Sequence, residues 1–176
     1  MMTEPINSMV RPSSDSGRKR KTSKHQNKFV PGKVFNKTNK KNPMSKIDFI
    51  NPDELLKNPA FSQIAITKGS GKTIYIGGQD AITKDLEIIG KGDIAKQTEH
   101  ILNNIETALK SCGATVNDLF KLTIYIVQGQ DVKKGFEGAQ GFLKKLKNPP
   151  LVTGVIVAGL ANPDYLVEIE AVAFVE

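Results

Sequence analysis

Few residues of this chain combine a reactive type with a useful position, and they gather at the ends of apolar stretches. In the last such stretch Glu168 and Glu170 alternate with Val167, Ile169 and Ala171, which puts two carboxylates on one face of a strand. In an earlier one, Thr73 to Ile76 runs directly into Gly77-Gly78-Gln79. Two glycines closing a strand either let another group approach the backbone closely or mark a bulge or bend. Cys112, the single cysteine, falls at the end of an apolar helix face and reads as a small core residue rather than a nucleophile. Alone, it forms no intramolecular disulfide, which suits a reducing, cytoplasmic setting. His25 and His100 have no neighbours at metal-ligand spacing and read as solvated groups, so neither a metal nor a cofactor is expected. Gly69-Ser70-Gly71-Lys72 lacks the full spacing of a phosphate loop and reads as a turn.

The element that must position these groups is Asp93 to Cys112. Ile94, Thr98, Ile101, Leu102, Ile105, Ala108, Leu109 and Cys112 recur at the three-and-four spacing of one helix face. Lys96, Gln97, Glu99, Asn103, Glu106 and Lys110 fill the other. Asp93 is a good N-cap, and Gly113 can take the left-handed conformation that ends a helix. A helix with one dry side needs a sheet beneath it. Strands are expected at Ser62 to Thr67 and Thr73 to Ile76, read as a hairpin around Lys68-Gly69-Ser70-Gly71-Lys72, with a short one at Glu87 to Ile89. Leu119 to Val127 reads as a central strand, followed by Val152 to Ala158 and Leu166 to Val175. Asp131 to Lys145 is a second helix, stopped by Asn148-Pro149-Pro150, although Gly135, Gly138 and Gly141 each weaken it by about 1 kcal/mol relative to Ala. Pro52 and Pro59 make long regular structure unfavourable in the short polar segment that holds them. The order predicts an α/β (α+β) fold with two helices on one face of a mixed sheet. The uncovered face, where apolar, calls for other subunits.

Charge divides the chain. Residues 1–43 hold 11 Lys or Arg against two acids, while residues 44–176 hold 14 against 16, so the overall +7 belongs to the first segment. That segment is rich in Ser, Asn, Lys and Pro with no apolar period and is expected to be disordered. Its run Gly17-Arg18-Lys19-Arg20-Lys21 reads as a solvated tail, a nuclear address or a weak contact to nucleic-acid phosphates. No stretch approaches the 18 apolar residues of a membrane span, and no secretory signal follows the N-terminal charges. The expected division is a basic tail, 1–43, and a folded domain, 44–176.

Phe61-Ser62-Gln63, Tyr75-Ile76-Gly77-Gly78-Gln79, Gln97-Thr98, Asn104, Cys112-Gly113-Ala114, Asp118 to Thr123 and the ending Leu166 to Ala173 together resemble the Rid (YjgF) family. The likeness covers Phe61 to Phe174. It implies a chorismate-mutase-like fold assembled as a homotrimer, with the sheets forming a central barrel and a small-molecule cleft at each subunit interface. Active members hydrolyse enamines and imines derived from amino acids, releasing ammonia and a 2-keto acid. In the family an arginine clamps the substrate carboxylate, a pairing that guanidinium geometry favours, and a glutamate in the last strand activates water. Carried onto this chain, the glutamate is Glu168 and the strand-ending glycine is Gly78. Val152 stands where the arginine belongs, Thr153 keeps the hydroxyl that follows it, and Phe61 replaces a tyrosine. Phe136, or Gly135 with a one-residue shift, replaces an asparagine. A valine cannot hold a carboxylate, so the resemblance implies a hydrolase or deaminase with Glu168 as base and an altered ligand, held by Gly78, Thr153, Phe61, Phe136 and Val152. The alternative is a non-catalytic homotrimer that binds a small ligand or a protein through the same cleft. Nucleic acid is an unfavoured partner outside the tail, and no membrane is implied.

Overall fold

The computed structural model describes residues 46–176, and the readings made for the basic tail lie outside them. The long helix forms as its pattern dictates: α1 runs Ile94–Ser111, and Asp93 caps it by accepting from the amides of Ala95 (3.1 Å) and Lys96 (3.2 Å). These amide bonds, that of Lys96 foremost, hold the Asp93 carboxyl below its ordinary range. Gly113 at φ +75° ends the helix. Ile101, Ile105 and Leu109 are fully buried against the sheet.

That sheet has four strands: β3 (Lys72–Gln79), β4 (Leu119–Val127), β5 (Leu151–Val157) and β6 (Val167–Val175), in the order β3-β6-β4-β5. Only β4 and β5 run parallel, joined through α2 (Val132–Leu143); the other pairings are antiparallel. The mixed sheet with two helices packed on one face is therefore as expected. The hairpin is not. β2 (Ile64–Thr67) pairs with β1 (Ile47–Ile50) in a separate two-stranded sheet, while β3 pairs with β6. The turn at 68–72 thus carries the chain from one sheet to the other, because β6 offers β3 a partner of eight or more residues and β2 offers four. Short β1 lies before Pro52, where the proline argument does not reach. Glu87 to Ile89 forms no strand of its own, contributing a single bridge between Ile82 and Ile88.

Two residues assigned from the helical pattern sit differently. Cys112 is exposed, since it is the C-cap, one turn beyond the last buried position, Leu109. Gln97, placed on the wet face, is fully buried. Its Nε2 donates to the Asp164 carbonyl at 2.7 Å and its Oε1 accepts from the Leu166 amide at 2.8 Å, which fastens α1 to the loop entering β6. One glycine of α2 also gains a purpose: a Cβ on Gly138 would lie 2.1 Å from the Ala95 carbonyl oxygen, so the close approach of α2 to α1 requires its absence. The helix-weakening cost of that glycine is offset by packing.

Candidate functional site

The pleat of the sheet sorts the site residues into two groups. Leu122, Ile124 and Ile126 of β4, Val152 and Gly154 of β5, and Val167 and Ile169 of β6 face the helices. Glu168, Glu170, Thr123, Tyr125 and Thr153 occupy the alternate positions and face the side that bears no helix.

On the helix-free side the central feature is a β-bulge. Ile76 pairs with Ala171 and Gln79 with Ile169, so Gly77 and Gly78 together oppose Glu170 alone. The Glu168 side chain lies over this bulge so closely that a Cβ on Gly78 would come within 1.7 Å of Glu168 Oε1. The two glycines therefore serve both readings made from sequence, a bulge and a close approach. Asp80 follows directly and belongs to the same charged cluster. Burial, and then the neighbouring Glu168 carboxylate, raise its pKa above the ordinary value, and its Oδ1 is buried without a hydrogen-bond partner. Its backbone carbonyl accepts from Asn104 Nδ2 at 3.3 Å, and the carbonyl of Ile82 accepts from the same group at 3.4 Å and lies 3.3 Å from His100 Nε2. His100 is thus half-buried and engaged with α1's neighbour rather than solvated. Tyr125 lies opposite Glu168 in the β4–β6 register, and its hydroxyl donates to Glu170 Oε2 at 3.2 Å. Burial and these carboxylates raise the phenol's pKa. Thr153 stands apart from Glu168: across the pairing Thr153, Thr123, Glu170 it is two strands from β6's carboxylates, and its hydroxyl accepts from Lys121 Nζ.

On the helix side, Phe61, Phe136 and Val152 line one cavity of about 290 Å³ between α1, α2 and the sheet. Phe61 is brought there by Ser62, whose amide donates to the Pro150 carbonyl (3.0 Å) and whose hydroxyl donates to that of Pro149 (2.8 Å). Phe136 projects from α2 and is about half exposed. Gly135, the alternative to Phe136, also lines the cavity. The protomer therefore brings Phe61, Phe136 and Val152 together, and separately brings Gly78 to Glu168; the sheet divides the two sets. Asp80 was not singled out from sequence, although its place directly after Gly77-Gly78-Gln79 was available as a signal. Among the described residues no group of three or more His, Cys, Asp or Glu side chains could hold a metal ion, and no helix is long and apolar enough to cross a membrane.

The mixed four-stranded sheet under two helices is the chorismate-mutase-like α/β architecture expected from the resemblance to Rid proteins. The chain is a member of the Rid (YjgF) family: the model of the family described as endoribonuclease L-PSP matches residues 53–175. RutC family proteins of Pyrococcus abyssi and Pyrococcus horikoshii are 35% and 36% identical to it over 106 and 107 residues, spanning 60% and 61% of this chain and 81% and 82% of theirs. Among solved structures, YyfB of Yersinia pestis, described as a conserved Rid family protein, aligns over 74% of this chain and all of its own, with 30% identity and a TM-score of 0.68. The E. coli YjgF gene product aligns over 62% of this chain and 85% of its own, with 26% identity and a TM-score of 0.54.

Proposed function

We propose that the domain, 44–176, works as a homotrimer that hydrolyses a small imine or enamine, with Glu168 as general base and with a substrate different from the carboxylate-bearing one usual in the family. The observation that carries this reading is the seat of Glu168 on Gly78, which joins two positions the family resemblance singles out and which any side chain at 78 would disturb. In the reaction Glu168 takes a proton from water as the oxygen attacks the imine carbon, and the C=N electron pair moves to nitrogen, which is protonated. The carbinolamine then loses ammonia, leaving the carbonyl product, so that imine and water give carbonyl and ammonia in balance. Assembly is supported by apolar surface at both sheet edges, where Tyr75 on β3 is 80% exposed and Ile156 on β5 is 59% exposed. The near-balance of 14 basic and 16 acidic residues over 44–176 gives the domain no net positive field for the RNA that the family's description names.

The test is ammonia release from imines lacking a carboxylate, generated in situ by an amine oxidase. Release above the uncatalysed rate, falling about a hundredfold or more in Glu168→Gln, supports the hydrolase. A second reading, a non-catalytic trimer that binds a ligand, is favoured by one fact: within the protomer Val152 and Glu168 lie on opposite faces of the sheet. Release that does not exceed the uncatalysed rate selects that reading, whereas release above it that is unchanged in Glu168→Gln overturns Glu168 as the base.

A further inference from the structure

The cavity that holds Val152 is distinguished by what its wall lacks. Of the residues lining it, Thr98 alone has a polar side chain; the rest are aliphatic, aromatic or glycine. Thr98 sits in the second turn of α1, 6% exposed, and its Oγ1 is buried with no hydrogen-bond partner. A helical threonine ordinarily bonds its hydroxyl to a preceding carbonyl, and a buried hydroxyl left unpaired is costly to keep. Gly135 of α2 lies against it, where a Cβ would be 3.7 Å from the oxygen, so the helix facing Thr98 brings no side chain to pair with it. The volume, about 290 Å³, lies at the lower end of the range for small-molecule sites. Phe136 and Val132, each about half exposed, carry the lining out to the surface.

We propose that this cavity binds an uncharged, mostly apolar molecule about the size of a substituted benzene ring, carrying a single hydrogen-bonding group that pairs with Thr98 Oγ1. The assignment deepens the preceding reading in that it takes Phe61, Phe136 and Val152 as the ligand wall, and it does not depend on turnover by Glu168. A carboxylate is excluded by desolvation, because no cation or amide donor lines the wall to replace its water. A wholly apolar ligand fits the wall but leaves the hydroxyl unpaired.

Binding to the full chain is measured by calorimetry with three molecules of nearly one shape: toluene, 4-methylphenol and 4-methylbenzoate. The phenol is expected to bind about three- to tenfold more tightly than toluene, the worth of one neutral hydrogen bond, and at least about a hundredfold more tightly than the benzoate. Thr98→Val, which keeps the shape, is expected to bring the phenol to toluene's affinity while leaving toluene unchanged; Thr98→Ser is expected to keep the preference. Val152→Arg is expected to reverse the order in favour of the benzoate. Equal binding of benzoate and phenol, binding of none of the three, or a phenol preference that survives Thr98→Val overturns the proposal. Ammonia release measured on the same protein separates the two readings: binding without release leaves this assignment standing and overturns the hydrolase, whereas release without this binding pattern does the reverse.

Discussion

The two faces of one sheet have been put to different uses. The face under the helices is apolar throughout, packs Ile101, Ile105 and Leu109 without exposure, and encloses a cavity with one hydroxyl in its wall. The opposite face is polar: Tyr125 donates to Glu170, Lys121 donates to Thr153, and Glu168 lies over the bulge at Gly77-Gly78. Both faces come from the same strands, so a shift of one residue in register would exchange them. The lesson is that the residues the resemblance singles out fall into two separate sets: Glu168 sits on Gly78 on one face, while Val152, Phe61 and Phe136 line an apolar cavity on the other.

The comparison is broken most severely on the apolar face. Ile105→Ala is expected to lower unfolding free energy by about 2–5 kcal/mol, as buried large-to-small changes do, and urea denaturation measures it. Gly138→Ala should cost about 1–3 kcal/mol by forcing α2 off the Ala95 carbonyl, with thermal unfolding as the readout. On the polar face the same kind of change costs less. Tyr125→Phe removes one hydrogen bond from a partly exposed pair and should cost about 0.5–1.5 kcal/mol in the same denaturation experiment.

The smallest effect sharpens the contrast through pH. Asp80 has a pKa raised above its ordinary 3.8, so the folded state holds its proton more tightly than the unfolded chain does. Its contribution is therefore favourable below that ordinary value and is lost as pH rises through the folded-state value. Asp80→Asn should then be more stable than the starting protein at neutral pH, with the advantage disappearing below about pH 4, as denaturation curves across that range would reveal.

Much of this was legible before any coordinates. The α1 period, its Asp93 cap and its Gly113 stop are local signals that tertiary structure had no reason to override. The mixed sheet under two helices followed from element order. Strand pairing did not, because β3's preference for β6 over β2 depends on a partner nearly a hundred residues away. Gln97 was misplaced for a similar reason: its partners, the Asp164 carbonyl and the Leu166 amide, are backbone groups that no side-chain pattern reveals. At the site, Gly78 and Glu168 were each legible from the resemblance, and their contact over the bulge was not, because it depends on the register of β3 against β6. The division of the remaining residues by the sheet was implicit in the alternation of Val152 with Thr153, and of Val167 and Ile169 with Glu168. It became evident only once α1 and α2 were seen to cover one face.

The central claim is that the Glu168 seat is intact while the ligand wall has lost its carboxylate clamp. Its most direct test is ammonia release from the enamine formed in situ from serine, comparing the starting protein with Val152→Arg and with Val152→Arg combined with Glu168→Gln. The account predicts release only from the single arginine variant, since in the proposed trimer a restored guanidinium would hold the carboxylate at the interface with the next protomer's base, and the double variant lacks that base. Release by the starting protein, or release by the double variant equal to that of the single one, would contradict it.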